Sequence, residues 1–227
     1  MEKTIRLPLQ KKEAARYTKG EEIFNTLTHA AGAAFGVFVL VFGILRAVLS
    51  GANVGVIAAA AVYGACMIVT YVVSAVYHAL KPNTGKRVLR VIDHCAIYLL
   101  IMGTYTGIVV AGILPVSPAA ALAILLIQWI AGALAITLTA VNMKKFVVFS
   151  MLCYILLGWC IIAIPHIVLA GIGLKGFLWL LFGGIAYTAG SVLYVIGRKK
   201  RYVHGVFHLF CLLGSVLQFI CFAVYCF

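Results

Sequence analysis

Runs of about 20 apolar residues, enough α-helix to cross a ~30 Å hydrocarbon layer, recur seven times along the chain. They lie near 26–49, 54–80, 89–113, 118–141, 146–164, 175–197 and 205–226. The separators are short and turn-like: SGAN at 50–53, KPNTGKR at 81–87, PVSP at 115–118, NMKK at 142–145, a less apolar piece from Pro165 to Lys175, and GRKKR at 197–201. Connections this short make consecutive helices antiparallel neighbours. The pattern predicts an all-α polytopic membrane protein: a soluble arm over 1–25, then a single seven-transmembrane-helix bundle over 26–227. No internal repeat is evident.

Composition agrees with the periodicity. Hydrophobic residues make up 65% of the chain, charged residues 10%, and mean hydropathy is +1.14, against roughly 25% charged in globular domains. The arm mixes Lys3, Arg6, Lys11, Lys12, Arg16 and Lys19 with Glu2, Glu13, Glu21 and Glu22 and has no apolar core of its own, so it does not read as a secretory signal.

The net charge of +13 then becomes a statement about orientation. Of the 18 Lys and Arg residues, 16 fall in the arm and in the second, fourth and sixth loops, and only Arg46 and Lys175 fall on the other side. The positive-inside rule places the N-terminus in the cytoplasm and Phe227 outside. Anionic lipid headgroups are the expected partners of the basic loops, and no nucleic acid is required. The seven cysteines sit in apolar stretches without CxxC spacing and read as small packing residues. Trp129, Trp159 and Trp179 read equally as interfacial anchors or as core.

Against this background, Asp93 stands out as the only acidic residue after Glu22. A carboxylate in a membrane segment costs on the order of 2.5–3.5 kcal/mol and calls for a partner or a task. Ser74 and His78 are four residues apart and share a helix face, as do His204 and His208, a spacing that lets two imidazoles converge on one metal ion. Measured from Lys81, Arg90 and Arg201, these groups all lie within ~10 Å of the cytoplasmic boundary.

Singly, each has a plainer explanation. An interfacial histidine snorkels or is hydrogen-bonded, Ser74 bonds a carbonyl of its own helix, and Asp93 pairs with Arg90. Their common depth favours a site. Glu22, Asn25 and His29 share a face at the cytoplasmic mouth, where they cap the first helix, line an entrance or touch a second ion; capping is the simplest reading. His94 points ~100° away from Asp93 around the helix, and His166 lies on the opposite side of the membrane. HExxH and Gly-x-Ser-x-Gly are absent, and six histidines are too few for a desaturase-like di-iron site.

The ordered set SxxxH, one membrane aspartate and HxxxH resembles the hemolysin III family, bacterial relatives of the adiponectin and progestin receptors in a wider group with the alkaline ceramidases. The likeness runs through EEIFNTLTHAAGA at 21–33, SAVYHAL at 74–80, IDHCAIYLLIMGTYTG at 92–107 and HGVFHLFCLLGS at 204–215. It implies a multi-pass protein of the bacterial inner membrane with Zn2+ near the cytoplasmic face. The family's ligands correspond to His78, His204 and His208, and its water-holding carboxylate to Asp93. Gly107 stands where many members carry proline, and Gln218 where a histidine is common.

Three neutral imidazoles leave a fourth tetrahedral position open, as in catalytic zinc sites. Asp93 would take or orient a proton and Ser74 would support water or a substrate oxygen. The expected activity is hydrolysis of an amide or ester in a membrane lipid. Two alternatives from other classes stand beside it. One is a sensor, regulator or cytolysin-like protein whose zinc clamps the helices. The other is an ion or proton transporter, although no Gly/Pro-broken helix pair or polar track to the outer face accompanies it.

Overall fold

Helix α1 (Lys19–Leu49) begins earlier than its apolar run because Thr18 caps it. The Thr18 hydroxyl accepts from the Glu21 N–H at 3.3 Å, while the Glu21 carboxylate accepts from the Thr18 N–H at 2.9 Å. The computed structural model describes residues 17–197 and 200–227. Most of the predicted arm, residues 1–16, and the loop cations Arg198 and Lys199 lie outside the described residues.

After α1 come α2 (Val54–Ala79), α3 (Thr84–Ile108), α4 (Pro118–Asn142), α5 (Val147–Trp159), α6 (Pro165–Gly197) and α7 (Val203–Tyr225). Asn53, Asn83 and Ser117 cap α2, α3 and α4 with side-chain oxygens, and Pro118 occupies the first turn of α4, where its missing N–H costs nothing. Among the described residues the only regular elements are helices, and the protein is a multi-pass membrane protein. Six helices among the described residues are long and apolar enough to cross a membrane. The fifth apolar helix is shorter, Val147–Ala163.

The largest departures from the sequence expectation are the starts of α1 and α6, at Lys19 and Pro165 rather than at 26 and 175. The piece from Pro165 to Lys175 belongs to α6; Pro165, Gly171, Gly173 and Lys175 give it the look of a linker, but residues 167–174 are otherwise apolar. A break remains inside it, because Gly173 adopts φ 66° and ψ 173°, a conformation open essentially to glycine alone. Helix α3 continues past Ile108 as a π-helical turn, Val109–Ile113. At the end of α5, Cys160–Ala163 tightens into a 3-10 turn and Ile164 leaves helical geometry at φ −128°, as expected for a residue preceding proline.

Helix α1 packs chiefly on α2, α2 also on α3, and α6 on α7. Small residues bring the first pair close. A Cβ on Gly64 would strike the backbone of Leu40, and one on Gly36 would press on the Ile68 backbone. Gly64→Ala is therefore expected to destabilise the bundle by ~1–3 kcal/mol. A lowered midpoint of thermal unfolding in detergent checks this, and an unchanged midpoint would contradict the α1–α2 contact. Facing outward, α4 presents Leu122, Leu126, Ile130 and Leu134, a continuous apolar stripe. Inside, two tyrosine hydroxyls share one partner: Tyr71 and Tyr187 both meet Ser215 Oγ at 2.7 Å. Trp159 is half-buried, and its indole donates to the Thr188 hydroxyl at 2.9 Å. All seven cysteines are free.

Candidate metal centre

The last turn of α2 and the first two turns of α7 meet at one end of the bundle. His78 comes from the first, and His204 and His208 from the second. Their rings are 1%, 8% and 2% exposed, and one nitrogen from each lies within 4.8 Å of the others. The Nε2 atoms of His204 and His208 are 3.1 Å apart. Their i, i+4 spacing sets that approach, and the end of α2 adds the third ring, with centroids 5.4 and 5.1 Å from those of His204 and His208.

Hydrogen bonds orient two of these rings. His78 Nδ1 lies 2.7 Å from the Glu22 carboxylate, which can only accept, so Nδ1 carries the proton and Nε2 keeps its lone pair. That Nε2 is buried without a partner. His208 Nδ1 meets Thr28 Oγ1 at 3.3 Å, and the Thr28 hydroxyl is within donating distance of the Phe24 and Asn25 carbonyls, so the imidazole is the donor. Its Nε2 is likewise left as a lone pair facing His204. Three buried imidazoles with nitrogens converging, one of them orphaned, fit a metal ion, and histidine donors suit zinc, copper, iron or nickel. Among the described residues this is the one group so spaced.

The second cluster read from the sequence behaves differently. Capping belongs to Thr18 and Glu21, which corrects the capping reading for Glu22. Instead Glu22 bonds His78 and, through its other oxygen, Lys86 Nζ at 2.5 Å. Asn25 packs beside this pair, its Nδ2 3.4 Å from His78 Nδ1, a contact and not a hydrogen bond because that nitrogen donates to Glu22. His29 remains apart from these bonds: both ring nitrogens are buried without partners, and its ring stands edge-on to His208 with centroids 3.8 Å apart. The face of α1 is thus the backing of the histidine centre. Thr28 and Lys86 were not singled out in the sequence. Thr28 lies one helical turn from Asn25, a usable signal, whereas Lys86 looks like any loop cation.

Asp93 and Ser74 line a cavity of about 670 Å³ together with His29, His204 and His208. The cavity follows α3 from Arg90 to Tyr105, roughly 22 Å at 1.5 Å per residue. Its deep end holds Trp159 and Gln218, so one position that departs from the family pattern faces the cavity. The other, Gly107, packs against Tyr63, where a Cβ would press on the ring. Asp93 is 18% exposed, 3.9 Å from His94 Nδ1, and outside the histidine triad. His94 itself is occupied: Nδ1 donates to the Arg90 carbonyl at 2.8 Å, leaving Nε2 to accept from the Tyr194 hydroxyl at 3.1 Å. His166 is exposed.

At the mouth, Tyr17 stacks on His204 with centroids 5.0 Å apart. Burial, reinforced by Tyr77, Tyr194 and Glu22, pushes its phenol far above the usual range, so it is a neutral hydroxyl over the site.

Known proteins place this arrangement. Over 210 residues the chain is 32% identical to the hemolysin-3 homolog of Bacillus subtilis (strain 168), covering 92% of this chain and 96% of that one. Over 205 residues it is 33% identical to hemolysin-3 of Bacillus cereus, covering 90% and 91%. The family profile described as Haemolysin-III related matches residues 17–219, a span that encloses all three histidines, Asp93 and the α1 residues behind them. The chain belongs to the haemolysin-III family.

Proposed function

We propose that the protein is a zinc-dependent membrane hydrolase that cleaves an amide or ester bond in a lipid entering from the bilayer. The observation that carries this reading is the convergence of the three buried imidazoles beside a cavity that also holds a carboxylate and a serine. His78, His204 and His208 would hold the zinc, which when bound would supply a Lewis acid for a carbonyl oxygen and a water whose pKa is lowered to ~7.

The chain's own residues do the rest. Glu22 and Thr28 hold His78 and His208 in the tautomer that presents Nε2. Asp93 accepts the proton of the attacking water at a carboxylate oxygen and returns it to the leaving group. Ser74, one turn from His78, steadies the water or the substrate oxygen. The apolar deep end of the cavity takes hydrocarbon, and the enclosing helices limit bulk water.

For orientation we place the N-terminus and the Lys81, Lys144 and Lys200 loops at the cytoplasmic face of a bacterial inner membrane, with α5 and its 3-10 turn as a seventh, shorter span and Phe227 outside. Anionic headgroups meet the basic loops. The histidine centre then lies near the cytoplasmic face.

A second reading has a specific observation in its favour. Rings only 1–8% exposed also suit a structural clamp joining α2 to α7. Metal removal separates the two. Protein in lipid nanodiscs, supplied with a long-chain acyl amide and the matching ester, is expected to release fatty acid and to stop when a chelator strips the metal. Metal present without product, accompanied by a large fall in thermal midpoint on chelation, would favour the clamp.

A further inference from the structure

We propose that Lys86 is a positioning residue of the histidine centre: its ammonium group holds the Glu22 carboxylate in place, and through it holds His78 with Nε2 turned toward the metal. The inference rests on the metal-centre reading above.

The placement of Lys86 is costly unless it has such a task. It is 2% exposed, and lysine is almost never that buried unless paired. Nor does it serve its own helix. It sits in the first turn of α3, where the helix dipole disfavours a cation, and the α3 terminus is capped independently by Asn83 Oδ1, which accepts from the Lys86 N–H at 2.7 Å.

The side chain instead reaches back across two other helices. Its Nζ donates to Glu22 Oε1 at 2.5 Å on α1 and to the Leu80 carbonyl at 2.8 Å, with the His78 carbonyl at 3.5 Å. The last two are open carbonyls at the C-terminal end of α2, the end that carries His78 and attracts positive charge. The ammonium also lies 5.2 Å from the centroid of the Tyr77 ring. The cation therefore sits between the C-terminal end of α2, which seats it, and the carboxylate that bonds the ligand's ring, which it holds.

Glu22 uses separate oxygens for its two partners, Oε1 for Lys86 and Oε2 for His78. Removing the ammonium leaves the carboxylate free to rotate or to be drawn to solvent, and the Nδ1–H of His78 loses its fixed acceptor. A neutral imidazole without that acceptor is free to carry its proton on Nε2 instead, and a ring so protonated has no lone pair to offer the metal from Nε2.

Zinc-loaded protein, challenged with graded chelator and read by elemental analysis, tests the chain of contacts. Lys86→Met and Glu22→Gln are each expected to weaken zinc retention ~10–100-fold, the usual effect of losing a group that orients a ligand. The double variant is expected to lose no more than Glu22→Gln alone, because Lys86 acts through Glu22. Additive losses would show that Lys86 merely caps α2 and would overturn the proposal. So would a Lys86→Met protein that holds zinc like wild type and only melts earlier.

Should Lys86→Met fail to fold with its unpaired carboxylate, the double variant carries no such charge, and its comparison with Glu22→Gln decides the question alone: equal retention supports the proposal, and a further drop overturns it. Wild-type protein that takes up no zinc would instead sink the metal centre, and this proposal with it.

Discussion

His204→Ala is expected to empty the metal centre. Wild-type protein purified without chelator should carry about one zinc per chain, the load of a single three-histidine site, and the alanine variant should carry almost none. The expectation follows from geometry. The Nε2 atoms of His204 and His208 are 3.1 Å apart, and no other imidazole is poised to replace either one. His29 is the nearest spare ring, but it stands edge-on to His208 and outside the triad. Loss of a direct ligand should exceed the ~10–100-fold cost of losing a group that only orients one. His166→Ala, an exposed histidine far from the cluster, should keep the full load. Elemental analysis of the three proteins checks the prediction, and equal, negligible metal in all of them would remove the site.

Asp93→Asn should have the opposite signature, with metal kept and turnover lost. Asparagine preserves shape and hydrogen bonding but accepts no proton, so a fall in rate of ~10²–10⁴ is expected for loss of a general base. A long-chain fluorogenic acyl amide and its ester, assayed in nanodiscs alongside metal content, supply both readouts. Zinc lost together with activity would make Asp93 a ligand and change the donor set to three imidazoles and a carboxylate. Unchanged turnover with metal in place would take the proton-transfer role away from it. The carboxylate's position beside the cavity rather than within the triad is the reason for expecting the first pattern.

Much of this was legible along the chain. The apolar runs located the helices because a segment that leaves water for lipid must satisfy its backbone internally, and helix is the local way to do so. The i, i+4 spacings of Ser74 with His78 and of His204 with His208 were equally readable, since helical geometry alone puts such pairs on one face.

Sequence was less reliable where turn-forming or polar residues sit inside a helix. The segment from Pro165 to Lys175 reads as a linker but is helical, and only the positive φ of Gly173 records the interruption. Helix α1 was read as starting at 26, because the polar turn from Lys19 to Asn25 scores as arm. A hydropathy window does not register that Thr18 and Glu21 close a capping box there.

Glu22 and Lys86 mark the same limit at the site. Both are charged residues near the membrane boundary, where charge is ordinarily solvated, and nothing in their sequence neighbourhoods distinguishes them from Glu21 or Lys81. By itself the sequence determined a helical membrane protein and the pairing of His204 with His208, because those follow from composition and from periodicities internal to each helix, while His78 entered as a third ligand through the family resemblance. Only the tertiary structure decided which nitrogens converge, which carboxylate backs His78 and which lysine is buried behind it. Such contacts join residues 56 and 64 positions apart, and they exist only once three helices are packed together.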